Sequence, residues 1–127
     1  MNNSKKRILL IDDEKVVTRL LKLNLEDTGR YVVRVENIAA TALSAAEQFQ
    51  PDLILLDVMM PGMDGGELAQ QFQDNAKLKS VPVIFLTAAA TKKEVSAKQG
   101  TIGGLPFLAK PVEVPDMIRC IEQHMPT

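Results

Sequence analysis

Short apolar runs alternate with stretches of helical periodicity along the whole chain. The clearest runs are Arg7 to Ile11, Asp52 to Leu56 and Val81 to Leu86, and such nearly continuous apolar character is typical of strands that are covered on both faces. In the stretches between these runs, apolar residues recur at helical spacing, which predicts helices with one buried stripe. Strands that alternate with helices indicate repeated βα units around a parallel sheet.

The full pattern predicts five strands and five helices. Alternating apolar residues at 31–35 indicate a half-covered strand, and Pro106 assigns the last strand to an edge of the sheet because proline lacks a backbone donor. We expect Gly29 to end the first helix. A helix between residues 88 and 99 would be poorly anchored, since Val95 is its only large apolar residue.

Length and composition narrow the class of protein. A chain of 127 residues predicts one domain, residues 1–127, with an ordered core from about 6 to 125. Its 15 basic and 16 acidic residues give a net charge of -1, which argues against nucleic acid or membrane as a partner. The single cysteine, Cys120, and the lack of a long apolar stretch lead us to expect a cytoplasmic protein. We expect no output domain in this chain.

Five polar residues follow the ends of the predicted strands. Asp12 and Asp13 come after the first strand, Asp57 after the third, Thr87 after the fourth and Lys110 after the fifth. Because the carboxyl ends of parallel strands meet at one edge of a sheet, where ligands bind, we expect these side chains to share one pocket.

Each of these residues also has an ordinary explanation. The two adjacent acids could cap the first helix, Asp57 could bond loop amides, and the threonine and lysine could be a plain strand residue and a surface cation. Together, the three carboxylates would repel one another unless one is protonated or a cation is held. Oxygen ligands alone suit Mg²⁺, for which Mn²⁺ can substitute. A carboxylate can also act as a nucleophile toward phosphorus, with Thr87 and Lys110 neutralising the charge.

The chain resembles the receiver domains of two-component response regulators along essentially its whole length. The matching motifs are Ile11-Asp12-Asp13-Glu14, Pro51-Asp52-Leu-Ile-Leu-Leu-Asp57, Met60-Pro61-Gly62-Met63-Asp64-Gly65, Leu86-Thr87-Ala88 and Phe107-Leu108-Ala109-Lys110-Pro111. The resemblance implies a flavodoxin-like α/β fold, a three-layer (βα)5 sandwich whose five parallel strands have the order 2-1-3-4-5.

The resemblance also implies roles for individual residues. Asp57 would be the phosphoacceptor, Mg²⁺ would be bound by Asp12, Asp13, Asp57 and the Met59 carbonyl, and Thr87 and Lys110 would bind phosphoryl oxygens.

Two further features of the resemblance concern the switch. The peptide bond between Lys110 and Pro111 would be cis, and rotation of the Phe107 ring, coupled to Thr87, would report phosphorylation. We expect residues 88–104 to be the least stable segment and the one that responds.

The implied partners are a sensor histidine kinase or a histidine phosphotransfer protein, and a downstream protein or output domain outside this chain. The domain would catalyse its own phosphorylation and dephosphorylation without being a turnover enzyme on a metabolite.

Three alternatives remain open. A phosphatase of the haloacid dehalogenase type also uses an aspartyl nucleophile, but Met59 stands where its second acid would be. A flavin or nucleotide carrier on the same fold would need a glycine-rich loop after the first strand, where this chain has acids. The third alternative is a receiver-like interaction module that is not phosphorylated, although all five site residues are present.

Overall fold

The structure is a computed structural model that describes residues 5–60, 63–87, 101–102 and 105–125. Its main sheet contains five parallel strands, β1 (Lys6–Ile11), β2 (Tyr31–Glu36), β3 (Leu53–Asp57), β4 (Val83–Thr87) and β5 (Leu105–Ala109). Their spatial order is β2-β1-β3-β4-β5. This is the predicted order 2-1-3-4-5, and the predicted flavodoxin-like fold is confirmed.

Four helices lie within the described residues. They are α1 (Lys15–Asp27), α2 (Ala39–Phe49), α3 (Gly65–Asp74) and α4 (Val114–His124). The helix expected between residues 88 and 99 falls outside the described residues, as does most of the segment 88–104. None of the helices in the described part of the chain has the length and apolar character needed to cross a membrane.

The sheet is covered on both faces because successive residues of a strand point to opposite sides. Leu9 and Ile11 face α2 and α3, whereas Ile8 and Leu10 face α1 and α4. Every residue of β3 and β4 is buried. The continuous apolar runs therefore mark central strands, as the sequence predicts, and two separate core layers result.

Backbone geometry explains where two of the helices end. Gly29 follows α1 with a φ of 78°, a left-handed conformation that glycine adopts without steric cost. The prediction that it ends the first helix is confirmed. Gln50 follows α2 with a φ of 51°, and its N–H donates to the carbonyl of Ala46 at 2.9 Å.

The outer edge of β5 differs from the prediction. Pro106 lies in β5, which is the last of the parallel strands, but Thr101–Ile102 pairs antiparallel with it on the far side. In that pairing Thr101 stands opposite Pro106 and Ile102 opposite Leu105. Proline excludes only its own N–H from a ladder, so a short pairing at this edge is compatible with it.

Candidate functional site

Asp12 is completely buried at the end of β1. Its N–H donates to the carbonyl of Glu36 at 3.1 Å, so the residue prolongs the ladder between β1 and β2. Its Oδ1 accepts the N–H of Glu14 at 2.9 Å. Its carbonyl accepts a hydrogen bond from Asn37 Nδ2 at 2.7 Å, and the same amide donates to Thr18 Oγ1 at 3.1 Å. These bonds fix both the backbone and the carboxylate of Asp12.

The interpretation of the two acids as helix caps is wrong. Helix α1 begins at Lys15, and Glu14 occupies the N-cap position without a capping bond from its side chain. Because Asp12 still belongs to the ladder of β1, the chain needs a turn before the helix can start. The Asp12 carboxylate stabilises that turn by accepting the Glu14 N–H.

Asp57 ends β3 and is only 4% exposed. The backbone around it is tightly packed: the N–H of Val58 donates to the carbonyl of Leu86 at 2.9 Å, and the N–H of Gly65 donates to the carbonyl of Val58 at 2.8 Å. A Cβ atom on Gly65 would lie 2.6 Å from the Asp57 carbonyl oxygen and 2.7 Å from Val58 Cα. Glycine at position 65 therefore permits α3 to start directly against the end of β3.

The three acids meet as predicted. One carboxylate oxygen from each of Asp12, Asp13 and Asp57 lies within 4.8 Å of the others, with Asp13 exposed and the other two buried. The Oδ2 of Asp12 is buried, and apart from its ion pair with Lys110 it has no partner among the described residues. Three oxygen ligands with spare lone pairs fit a hard divalent cation such as Mg²⁺.

Lys110 joins this cluster from the end of β5. Its Nζ lies 2.6 Å from Asp12 Oδ2, 3.0 Å from Glu14 Oε1 and 3.4 Å from Asp57 Oδ2. Burial alone would lower the pKa of Lys110, but the contacts with Asp12 and Glu14 outweigh it and raise the pKa above its ordinary value. One ammonium group thus contacts three carboxylates, and Asp13 adds a fourth to the cluster. The excess negative charge favours a cation at this edge of the sheet.

Thr87 lies beside Lys110 at the end of β4. It is buried, and its carbonyl accepts the N–H of Lys110 at 2.8 Å. The peptide bond between Lys110 and Pro111 is cis, the geometry that the resemblance implies.

Phe107 and Met59 are the other residues to which the resemblance assigns a role. Phe107 is buried in the core layer under α2 and α3, opposite Phe85 in the register of β4 and β5. Met59 lies two residues beyond Asp57. The backbone of Met59–Met60 pairs antiparallel with that of Met63–Asp64, with Met59 opposite Asp64. The role of the Met59 carbonyl as a metal ligand stays a prediction.

Two residues of this site were not singled out from the sequence. Glu14 belongs to the motif Ile11-Asp12-Asp13-Glu14, but its contact with Lys110 spans 96 positions of the chain, so local spacing does not reveal it. Asn37 follows the end of β2, so the rule that found the five polar residues could also have found it.

A groove of about 480 Å³ adjoins the site between α1 and the segment that follows β5. Val17 and Leu21 line one side, and Pro111 and Val112 line the other. The neighbouring surface of α1 is also apolar, with Val16 being 73% exposed. Leu20 and Leu23 are exposed on the same helix. We call Val16, Leu20 and Leu23 the apolar face of α1.

The chain is similar in sequence to known proteins. Residues 8–122 match the response regulator receiver domain. The polar-differentiation response regulator DivK of Brucella anthropi is 31% identical over 121 residues, which cover 94% of this chain and 96% of that protein. The protein of the same name from Brucella ovis is also 31% identical over 121 residues.

Solved structures agree with the fold. A putative response regulator from Chloroflexus aurantiacus superposes with a TM-score of 0.80 at 28% identity, covering 94% of this chain and 97% of that one. The chemotaxis protein CheY4 of Vibrio cholerae superposes with a TM-score of 0.82 and covers 96% of this chain and 100% of its own. Its identity of 23% supports the fold alone.

The matched region begins within β1 and ends within α4, so it includes the whole sheet edge at which the acids, Thr87 and Lys110 meet. Relatives of nearly the same length are covered almost from end to end. This chain therefore belongs to the family of response regulator receiver domains of two-component signal transduction.

Proposed function

We propose that Asp57 accepts a phosphoryl group from a phosphohistidine of a partner protein, and that a divalent cation held by Asp12, Asp13 and Asp57 is required. The observation that carries this proposal is the convergence on one buried carboxylate: Lys110 Nζ lies 3.4 Å from Asp57 Oδ2, and the oxygens of the other two acids lie within 4.8 Å. Such charge neutralisation is what phosphoryl transfer needs most.

The chemistry of the transfer can be assigned to groups of this chain. A carboxylate oxygen of Asp57 attacks phosphorus, and the bond between phosphorus and the donor nitrogen breaks, leaving the electron pair on the imidazole. Lys110 and the Thr87 hydroxyl bind phosphoryl oxygens as the negative charge spreads over them. When bound, Mg²⁺ would neutralise the acids and polarise a phosphoryl oxygen. The product is an acyl phosphate on the protein itself, so no external metabolite is turned over.

The surface beside the site supports a protein as the donor. The histidine must reach Asp57 at the carboxyl edge of the sheet, and the groove and the apolar face of α1 border that edge. Exposed apolar side chains of this kind are typical of sites that bind another protein. We assign this face to a sensor histidine kinase or a histidine phosphotransfer protein. The lone thiol of Cys120 supports a cytoplasmic location.

The response to phosphorylation would start from Thr87. Its hydroxyl would move toward the phosphoryl group, and the Phe107 ring would rotate into the space that Thr87 leaves. The register supports this pairing, because Thr87 stands opposite Ala109, two residues from Phe107. The downstream partner would bind the surface that this rearrangement changes. We expect the response in the segment 88–104, which lies mostly outside the described residues.

The test is the intact mass of the protein after incubation with acetyl phosphate and Mg²⁺. We expect the parent to gain the mass of one phosphoryl group and Asp57→Asn to gain none. Asp52→Asn is a matched control, because Asp52 precedes the same strand at its opposite end and binds the N–H of Arg7 at 2.8 Å. Equal gain in the parent and in Asp57→Asn would disprove the assignment of the acceptor.

A further inference from the structure

Glu14 differs from the other acids around Lys110. The Nζ of Lys110 contacts Asp12, Glu14 and Asp57, but only Glu14 lies outside the set of acids assigned to the cation. Its side chain is 56% exposed, whereas that of Asp12 is fully buried. The Glu14 backbone is held in place, since its N–H donates to Asp12 Oδ1 at 2.9 Å and its carbonyl accepts the N–H of Thr18 at 3.0 Å.

Lys110 and the cation compete for the carboxylate of Asp12. Lys110 Nζ lies 2.6 Å from Asp12 Oδ2, an atom that would also serve as a cation ligand. An ammonium group and a divalent cation repel each other at such distances, so Lys110 has to give up Asp12 when the acids bind the cation. Among the residues that the structure describes, Glu14 Oε1, at 3.0 Å, is then the remaining anion in contact with Lys110 that is not assigned to the cation.

We propose that Glu14 is a positioning residue that retains Lys110 beside the site once the cation occupies the acids. The inference rests on the cation site of the proposed function. It has two consequences of opposite sign. Glu14 favours cation binding, because it gives the displaced ammonium group a partner. Glu14 also weakens binding of the phosphoryl group, because Lys110 must leave Glu14 to bind a phosphoryl oxygen.

A double-mutant cycle on Mg²⁺ affinity tests the first consequence. Isothermal titration would be performed on the parent, Glu14→Gln, Lys110→Met and the double variant. We expect Glu14→Gln to weaken Mg²⁺ binding about 2- to 5-fold, the range of a partly exposed ion pair. In the Lys110→Met background the same substitution should change the affinity by less than about 1.5-fold, because no ammonium group remains to be retained.

The cycle separates retention of Lys110 from two simpler effects. If Glu14 acts only through its negative charge, or is itself a ligand, Glu14→Gln weakens binding equally in both backgrounds, and the inference is overturned. A parent that binds no Mg²⁺ overturns the proposed function as well. Asp27→Asn removes one charge from the exposed C-terminal end of the same helix and should leave the affinity unchanged.

Beryllofluoride, a mimic of the phosphoryl group, tests the second consequence at saturating Mg²⁺. We expect Glu14→Gln to bind it about 2- to 5-fold more tightly than the parent. Weaker binding of both Mg²⁺ and beryllofluoride would indicate structural damage and would contradict the inference. Thermal melting by circular dichroism verifies that each variant is folded, and Lys110→Gln replaces Lys110→Met in the cycle if the apolar side chain prevents folding.

Discussion

At the scale of single residues, the geometry of the site depends on glycine at position 65, because glycine has no Cβ atom. Gly65 lets the first turn of α3 contact the end of β3, where a Cβ would lie 2.6 Å from the Asp57 carbonyl oxygen. The nearest atoms that this Cβ would meet belong to the backbone of Asp57 and Val58, so they cannot rotate away as a flexible side chain would. The position of the proposed phosphoacceptor is therefore sensitive to one methyl group eight residues away.

We predict that Gly65→Ala lowers the free energy of unfolding by about 1 to 3 kcal/mol, the usual cost of overpacking. It should also slow the labelling of Asp57 by acetyl phosphate. Urea unfolding and intact mass measure the two effects. Gly66→Ala is the matched control, because its Cβ would meet only the side chain of Asp64, at 3.3 Å, and alanine favours a helix. Equal destabilisation by both substitutions would show that the close approach does not matter.

A second residue-scale prediction concerns Cys120. Burial raises the pKa of its thiol above the ordinary value of 9.0. The folded protein therefore keeps this proton to a higher pH than the unfolded chain does, and the free energy of unfolding falls as pH rises above that value. We expect the loss of stability between pH 8 and pH 10 to be larger in the parent than in Cys120→Ala. Identical pH profiles from urea titrations would rule this out.

At the scale of elements, α1 has two tasks. Its inner residues Leu21 and Leu25 are buried against the sheet, whereas the apolar face of α1 remains exposed beside the groove. A helix that served only the core would not need large apolar residues on its outer side. The partner surface of the proposed function is therefore separable from the chemistry by mutation.

We predict that replacing Val16 and Leu23 together by glutamine slows phosphoryl transfer from a histidine kinase roughly tenfold, equivalent to about 1 to 2 kcal/mol of partner binding. The measured quantity is the ratio of that rate to the rate with acetyl phosphate, which needs no protein surface. Val32→Gln, an exposed apolar residue on β2, is the control. An unchanged ratio of the two rates would show that the histidine kinase binds a different surface of the protein.

Much of the element pattern could be predicted from the sequence, for a physical reason. The runs 8–11 of β1, 53–56 of β3 and 83–86 of β4 are apolar because both faces of the sheet are covered there, and this pattern is visible without coordinates. The start of α1 at Lys15 is not evident from the sequence, since periodicity does not reveal that Asp12 still bonds to Glu36.

The site itself was less predictable than the strands. Its five residues lie at strand ends or directly after them, and that placement brings them together. The contact between Glu14 and Lys110 depends instead on side-chain reach across the sheet edge, and the need for Gly65 depends on how closely α3 approaches β3. Neither distance is encoded in local pattern or spacing.

At the scale of the whole molecule, the clustered acids oppose folding unless their charge is compensated. Lys110 offsets part of the repulsion, but it cannot balance Asp12, Asp13 and Asp57 together. Any cation that binds the folded state more tightly than the unfolded chain stabilises the protein by mass action. Stability and cation binding should therefore be linked.

We predict that Mg²⁺ at ten times its dissociation constant raises the free energy of unfolding by about 1.4 kcal/mol, and that excess chelator reverses the change. In Asp13→Asn, which alters the exposed member of the cluster, the same concentration should give a smaller increase. Asp27→Asn should respond as the parent does. Urea titrations with and without Mg²⁺ provide the measurement, and an equal response in Asp13→Asn would exclude this acid as a ligand.

The hydrogen bond between the Lys110 N–H and the Thr87 carbonyl has a consequence for how a signal leaves the site. This bond joins the two backbones at the point where the side chains assigned to the phosphoryl group begin. A displacement of the Thr87 backbone would therefore also displace the Lys110 backbone, and the two residues would move together when a phosphoryl group binds. Under the proposed function, occupancy of the site would therefore be coupled to the alignment of β4 and β5, and phosphorylation of Asp57 on β3 would change the shape of the sheet edge.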